Sequence, residues 1–554
     1  MTRHKGWRVL ASLVALGTIA AACGDDSDAE STDTTAAGGT AATPGIAATT
    51  TAGATTSAAP TDIDPAGVVK VAVDLVANTG MKFDPVTMGT GSYVSASPVV
   101  RPLFQRNRAG QIVPDLAESA KVVDPTTVEV NLRPNLKFSD GTPVTAADVK
   151  ATFERNLASN NSAGLQIADM GLVSTITADS ATKFTIKLKD PSAGIIYAML
   201  AGVEFAPVKD SSYTKDAAGK TVPVDNVKVI AAGPMMVSAV EPGVKITMVK
   251  NPNYIDAAKV RIAGMEYLHA TPGAATLNAL RSGQVDYAGG LGFADASSLP
   301  APYKADQLPM TAAMTIQMCM KADNPLGNVK VRQAMAYAFD REAYNSTVFG
   351  GKSEVAWDLW PKSSPWHDTA NENFYKRDVA KAKQLLTEAG YPNGVTLTMA
   401  AGAAVQRDME VMQAQLKEAG ITLNIAVSAN IVTDFYNASP KYDMTFSQSR
   451  PGPLDKITRF YLSNSFSNVC KFPTPEVEAA FNKLKGLAID SPDAIPAWKE
   501  LQKVIVRDLA LFPTMAFQVY STAYNGDRLS GVEFYYDALG SRQLSPLSTY
   551  VKKK

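Results

Sequence analysis

Histidine and cysteine are nearly missing from this chain, with three of each in 554 residues. Beyond His4 the histidines are His269 and His367, far apart in sequence. No His/Cys group has metal-ligand spacing, no HExxH occurs, and neither a G-x-S-x-G elbow nor a Cys–His pairing marks a nucleophile. Nothing local therefore supports a metal site, a cofactor or an enzyme, and each histidine reads as a surface or hydrogen-bonded structural residue. Net charge is missing too: 53 basic side chains balance 53 acidic ones. The one basic run, Lys552–Lys554, is no footing for nucleic acid. Past the N-terminus, no apolar stretch reaches the roughly 18–20 residues of a membrane-crossing helix. Gly89-Thr90-Gly91 lacks the third glycine and the Lys-Ser/Thr pair of a phosphate loop, so that reading is rejected.

What is present describes a globular chain, 46% hydrophobic and 19% charged, too long for one core. Arg3, Lys5 and Arg8 precede the apolar run Val9–Ala22, the pattern of a secretory signal over residues 1–22. Its removal leaves 50 basic against 53 acidic side chains. Ala20-Ala21-Ala22 before Cys23 is similar to a bacterial lipobox, which would make Cys23 a lipidated first residue. It also satisfies the small-x-small rule of ordinary cleavage, and both readings cut after Ala22. Residues 23–65 are nearly all Ala, Thr, Ser, Gly and Asp, so they bury too little surface to offset their ordering entropy. A disordered tether of that length reaches roughly 35 Å, which suits a chain anchored to a membrane by lipid. A glycosylated or merely tolerated tail is the alternative.

Within the body, Val128, Val130 and Leu132 alternate with Glu129 and Asn131, a half-buried strand. Ser139-Asp140-Gly141 supplies a turn, and Thr145 caps a helix whose first turn holds Asp148. Val68–Val76 reads as a strand, Pro85–Pro98 as a loop and Val99–Arg106 as a helix. Met235–Val240 and Val244–Val249 form a hairpin. Val331, Ala334, Met335 and Ala338 fall on one face of a helix. Ala380–Ala389 and Met409–Ala419 are helices closed by Gly390 and Gly420, each followed by a strand, Val395–Met399 and Ile421–Val427. That alternation argues an α/β layer, and the segment after residue 511 reads as a strand returning to the first half.

Several of these stretches resemble, in order, the family 5 extracellular solute-binding proteins, the oligopeptide- and dipeptide-binding type that serves ABC importers. They are LAES…VNLRPNLKFSDGTPVTAADVKATFER, GPMMVSAVEPGVKITMVKNPNY, LRSGQVDYA and VRQAMAYAFDRE. The resemblance implies a mixed α/β, two-lobed periplasmic-binding-protein-like fold of type II whose lobes are joined by two crossing segments. Lobe I would hold residues 66–315 and 518–554, and lobe II residues 316–517. It implies a monomer that closes on a peptide or peptide-like solute and delivers it to an ABC permease with its ATPase.

The expected ligand residues are Tyr93, Trp357, Trp360, Arg407, Gln448, Arg450 and Asp455. Tyr93 stands in the Gly/Ser-rich loop that meets ligand in the family; a packed surface tyrosine is the alternative. Trp357 and Trp360 share a proline-bearing loop with Trp366, and aromatics there can wall a pocket or pin the loop. In peptide-binding relatives the strand equivalent to Tyr442–Phe446 leads to a tryptophan and then an aspartate that pairs with the peptide's amine. Here Ser449 and Gly452 stand near those places, Asp455 comes late and Arg450 brings a positive charge. That departure favours an anionic or neutral ligand group, since a guanidinium offers a carboxylate two parallel donors. Arg407 is a second such candidate, with a plain surface arginine as the alternative for both. Cys319 and Cys470 are an even pair, either bridged within lobe II or separately buried. A secreted hydrolase with a dispersed site and a ligand-less structural lipoprotein are the rival functions.

Overall fold

The computed structural model describes residues 45–46, 60–75, 82–88, 96–106, 112–159, 171–217, 221–222, 224–271, 273–402, 405–428, 430–437, 439–448, 453–465, 467–487, 492–511, 514–536 and 542–553. Tyr93, Arg450 and Cys23 lie outside them. Strand β1 (Val68–Val73) opens the fold. The hairpin β2 (Ala117–Asp124) and β3 (Thr127–Leu132) follows the alternation of its valines, which lie at 0% exposure at Val128 and Val130. Helix α1 (Ala146–Ser159) starts where expected, with the Thr145 amide and hydroxyl both donating to Asp148 Oδ2 at 2.8 and 2.7 Å. β4 (Val173–Ala178) and β5 (Lys183–Leu188) complete an antiparallel sheet in the order β2-β3-β5-β4. Helix α2 (Ala193–Met199) follows.

Two expectations need correcting here. Gly45–Ile46, inside the stretch read as a disordered tether, pairs with β2 at Lys121 and Ala120, because that edge of the sheet is otherwise open. The stretch Val99–Arg106 is not a helix: Phe104–Arg106 is a short strand. Pro102 explains this, since its ring removes a donor and disfavours helical backbone at the preceding residue.

The main sheet collects strands from the whole chain. They are β6 (Met235–Glu241), β7 (Lys245–Lys250), β8 (Gly264–His269), β9 (Tyr287–Leu291), β10 (Tyr303–Met318), β11 (Val395–Ala401), β12 (Ile421–Val427), β13 (Met444–Gln448) and β14 (Thr514–Asn525). With β1 they line up as β6-β7-β8-β1-β9-β14-β10-β13-β11-β12. The two long central strands, β14 and β10, thus join five strands of the first half to three of the second. These are the two chain crossings. Their pairing is regular from Tyr303↔Asn525 to Pro309↔Val519, then slips before Ala313↔Phe517 and again before Thr315↔Thr514. A proline and two irregularities in the middle of an otherwise long ladder make a natural place to bend.

The second half carries helices α3 (Val329–Ala338), α4 (Arg341–Phe349), α5 (Gln406–Glu418) and α6 (Pro453–Phe460). Gly420, at φ +87°, ends α5 as expected of a left-handed cap. Cys319 and Cys470 are bridged, with their Cα atoms 5.2 Å apart. Among the described residues no helix is long and apolar enough to cross a membrane.

Candidate functional site

Strand direction locates the site. β1, β8 and β9 run parallel to one another, and so do β11, β12 and β13. In the first set the carboxyl end of β9, Leu291, lies opposite Ser521 of β14. In the second, the carboxyl end of β13, Gln448, lies opposite Met314 of β10. Since Ser521 itself pairs with Gln307, both sets of carboxyl ends point at one stretch of β10, Gln307 to Met314. Open α/β sheets bind ligands beyond the carboxyl ends of their strands, and here two such edges are directed at one stretch of β10.

The topology brings two expected residues to the second edge. Gln448 ends β13, and Arg407 is exposed in the first turn of α5, just after β11. Beside Arg407, Asp408 is half-buried, and burial raises its pKa to about 6 against the pull of the Arg407 charge. Sequence reasoning passed over Asp408, because its burial depends on α4 and α5 packing together. Trp357 belongs to a loop that runs along the edge of β14: Phe517 N donates to Glu354 O at 2.8 Å, and Thr514 Oγ1 to Ala356 O at 2.6 Å. Trp357 is half-buried, and the Arg341 guanidinium lies 5.1 Å from its ring centroid. Arg341 is itself 4% exposed and donates to the carbonyls of Thr514, Ala336 and Tyr375. Burial lowers its pKa to about 10, so it stays charged. Trp357, Arg341, Asn371 and Tyr375 line a cavity with room for about one water.

Trp360 stands elsewhere. At 1% exposure its ring centroid is 5.4 Å from that of Trp366 and 5.5 Å from that of Trp498, both edge-on. Such packing suits the second of the two roles open to it, pinning the loop to the body. Asp455 lies in the first turn of α6, whose helix packs against α2.

Both histidines hold structural hydrogen bonds. His269 Nδ1 accepts from Leu75 N at 3.2 Å. His367 Nε2 is 2.9 Å from Glu372 Oε1, and its Nδ1 is 3.0 Å from Trp360 O and 3.4 Å from Asp358 Oδ2. Burial opposes the His367 charge, but the Glu372 bond, the Trp360 carbonyl and the two carboxylates outweigh it and raise its pKa. Asp358, 0% exposed, is pushed up to about 6 by burial. Lys362 on Glu372 and Arg507 on Asp368 complete the charges around this knot. A raised folded pKa means stability present below the unfolded value of about 6.5 and lost as pH climbs through the folded one. Urea melts between pH 6.5 and 9 should therefore show wild-type stability falling, and His367→Gln should flatten that slope. An identical slope in the variant would remove His367 from the knot's energetics.

Comparison with known proteins adds five likenesses. Residues 111–469 match the model of the bacterial extracellular solute-binding proteins, family 5. Glutathione-binding protein GsiB of Pectobacterium atrosepticum is 26% identical over 373 residues, 65% of this chain and 70% of that one. The oligopeptide-binding protein AppA of Bacillus subtilis, solved with a nonapeptide, superposes with a TM-score of 0.72 at 18% identity, covering 89% of this chain and all of that one. The Escherichia coli murein tripeptide binding protein MppA gives 0.71 at 18% identity over 89% of this chain and 100% of its own. An unliganded open form of MppA gives 0.64 over 89% and 99%.

Proposed function

The chain belongs to the bacterial extracellular solute-binding proteins, family 5, and on that premise we propose that it captures a peptide or small organic solute carrying an anionic group. It is a two-lobed, type II binding protein of an ABC importer. We place the lobe boundary at the crossings, with residues 66–315 and 518–554 in lobe I and 316–517 in lobe II. The slipped register between Pro309 and Ala313, opposite Val519 and Phe517, supports a hinge there. The carrying observation is the convergence of two sets of strand carboxyl ends on that hinge.

Arg407 and Arg450 are the proposed anchors for a carboxylate, with Gln448, Trp357, Tyr93 and Asp455 around the solute. Trp360 acts on them only through the loop it holds. The protein works as a monomer without catalysis, a reading supported by two histidines committed to structural bonds. The anchor is Cys23, lipidated after removal of residues 1–22, with the permease and its ATPase as partners.

Native mass spectrometry of the protein from its own cells tests the reading by detecting a co-purified solute. Glutathione and defined di- and tripeptides then serve as probes in thermal melts, where a binder gains RT ln(1 + [L]/Kd). Arg450→Ala or Arg407→Ala should weaken capture by about ten- to a hundredfold, the loss of a charge-assisted contact of roughly 1.5–3 kcal/mol. Unchanged affinity removes that arginine from the site; no shift with any probe and no co-purified solute sink the binding function.

A further inference from the structure

We propose that α2 and α6 form a latch that holds the two lobes shut, with its rim at the contact between Pro191 and Gly486. The idea rests on the two-lobed reading above and goes beyond it, because it assigns closure to a helix–helix contact distinct from the two hinge strands. Helix α2 reads Ala-Gly-Ile-Ile-Tyr-Ala-Met, without a charge, and six of its seven residues are buried. A helix lying on its own sheet needs only one apolar stripe; one that is apolar all round has something covering the other side. Here the cover comes from the opposite lobe, as α6 packs against α2. Among the side chains described in α6, Ile457, at 0% exposure, and Phe460, at 7%, are buried. Gly194 and the two alanines of α2 present little bulk to a neighbour, which allows a close approach.

At the edge of this contact two segments of the chain almost touch. A Cβ placed on Gly486 would lie 3.2 Å from Pro191 Cβ and 3.4 Å from its carbonyl oxygen. Pro191 is exposed and Gly486 half-buried, so the pair marks the rim of the latch. Opening the lobes would strip the cover from α2 and return apolar surface to water, which favours the closed state. Helix α6 also begins at Pro453, directly downstream of the proposed solute segment at Gln448 and Arg450. Solute contact and latch therefore share one short stretch of chain. Apparent affinity then depends on the fraction of molecules in the competent state, and the latch sets that fraction.

Two variants of the full chain, free of solute, test this from opposite sides. Gly486→Trp inserts a wedge at a position whose backbone is not left-handed. Amide exchange in 193–199 and 453–460 should rise at least tenfold, with β2, β3 and β5 unchanged, and the radius of gyration from X-ray scattering should grow. Pro191→Cys with Gly486→Cys places two Cβ atoms within reach of a disulfide. The bridge should form in air and slow exchange in the same two segments. Wild-type exchange rates in the wedge variant, or no cross-link in the double variant, overturn the latch. Raised exchange in a protein that binds no solute would keep the latch and sink the binding function instead, so the two failures are distinguishable.

Discussion

Replacing Trp360 with alanine lowers the stability of the fold by about 3–5 kcal/mol, the usual result of emptying a large buried aromatic site. Three indoles meet there: Trp360 touches Trp366 and Trp498, which lie 5.6 Å from each other. Trp498 is at 0% exposure, so neither neighbour can move into the hole without leaving its own packing. The Trp360 carbonyl also faces His367 Nδ1, so a backbone shift at 360 would loosen the polar knot around Asp358. Trp357→Ala should cost less than half as much, since that ring is only half-buried and rests beside Arg341 rather than in the indole cluster. Urea midpoints of the two variants read the difference directly. A Trp360→Ala protein that melts like wild type but no longer takes up solute would make Trp360 a pocket wall after all.

The two tryptophans show where sequence reading stops. Both sit on one loop with the same neighbours, and nothing local separates a pin from a wall. The distinction comes from Trp498, on a helix far downstream, and from the edge of β14 that the loop follows. Elements with a short-range signature were legible: the alternating valines of β3, the Thr145–Asp148 cap of α1, and the glycines that close α5 and the helix before Tyr391. β10 was not read as a strand. Met314, Ile316 and Met318 alternate with Thr315 and Gln317, but the run of methionines hides that period, and all five are buried because the middle of the sheet is covered on both faces. The joining of both halves into one ten-stranded ladder is a matter of long-range pairing, on which local periodicity is silent. Of the candidate site, only a set of residue types to propose was readable. The converging carboxyl edges were not, since they depend on strand direction.

Removing the Cys319–Cys470 bridge, by Cys319→Ala with Cys470→Ala, should cost about 3–5 kcal/mol. The bond ties positions 151 apart, so in the unfolded chain it closes a loop holding most of the second lobe, from α3 through α6. On the chain-entropy account such a loop restricts the unfolded ensemble by about 5 kcal/mol at 25 °C, and native relaxation trims the figure. That relaxation should be small, because other bonds already hold the Cys319 end. Its amide donates to Asp443 O at 2.8 Å, and the Asp443 carboxylate accepts from Thr398 N, Thr398 Oγ1 and Asn324 Nδ2. Around the sulfurs, Phe435 at 0% exposure and Val469 at 8% keep the pocket apolar, a surrounding that alanine tolerates. The loss therefore arises in the unfolded state, and folded variant should bind the same solute with the same affinity. Denaturant midpoints with and without reductant separate the cases. Wild type should fall toward the double variant once reduced, while the variant should not respond. A reduced wild type that keeps its midpoint would show that the second lobe is held by its core alone.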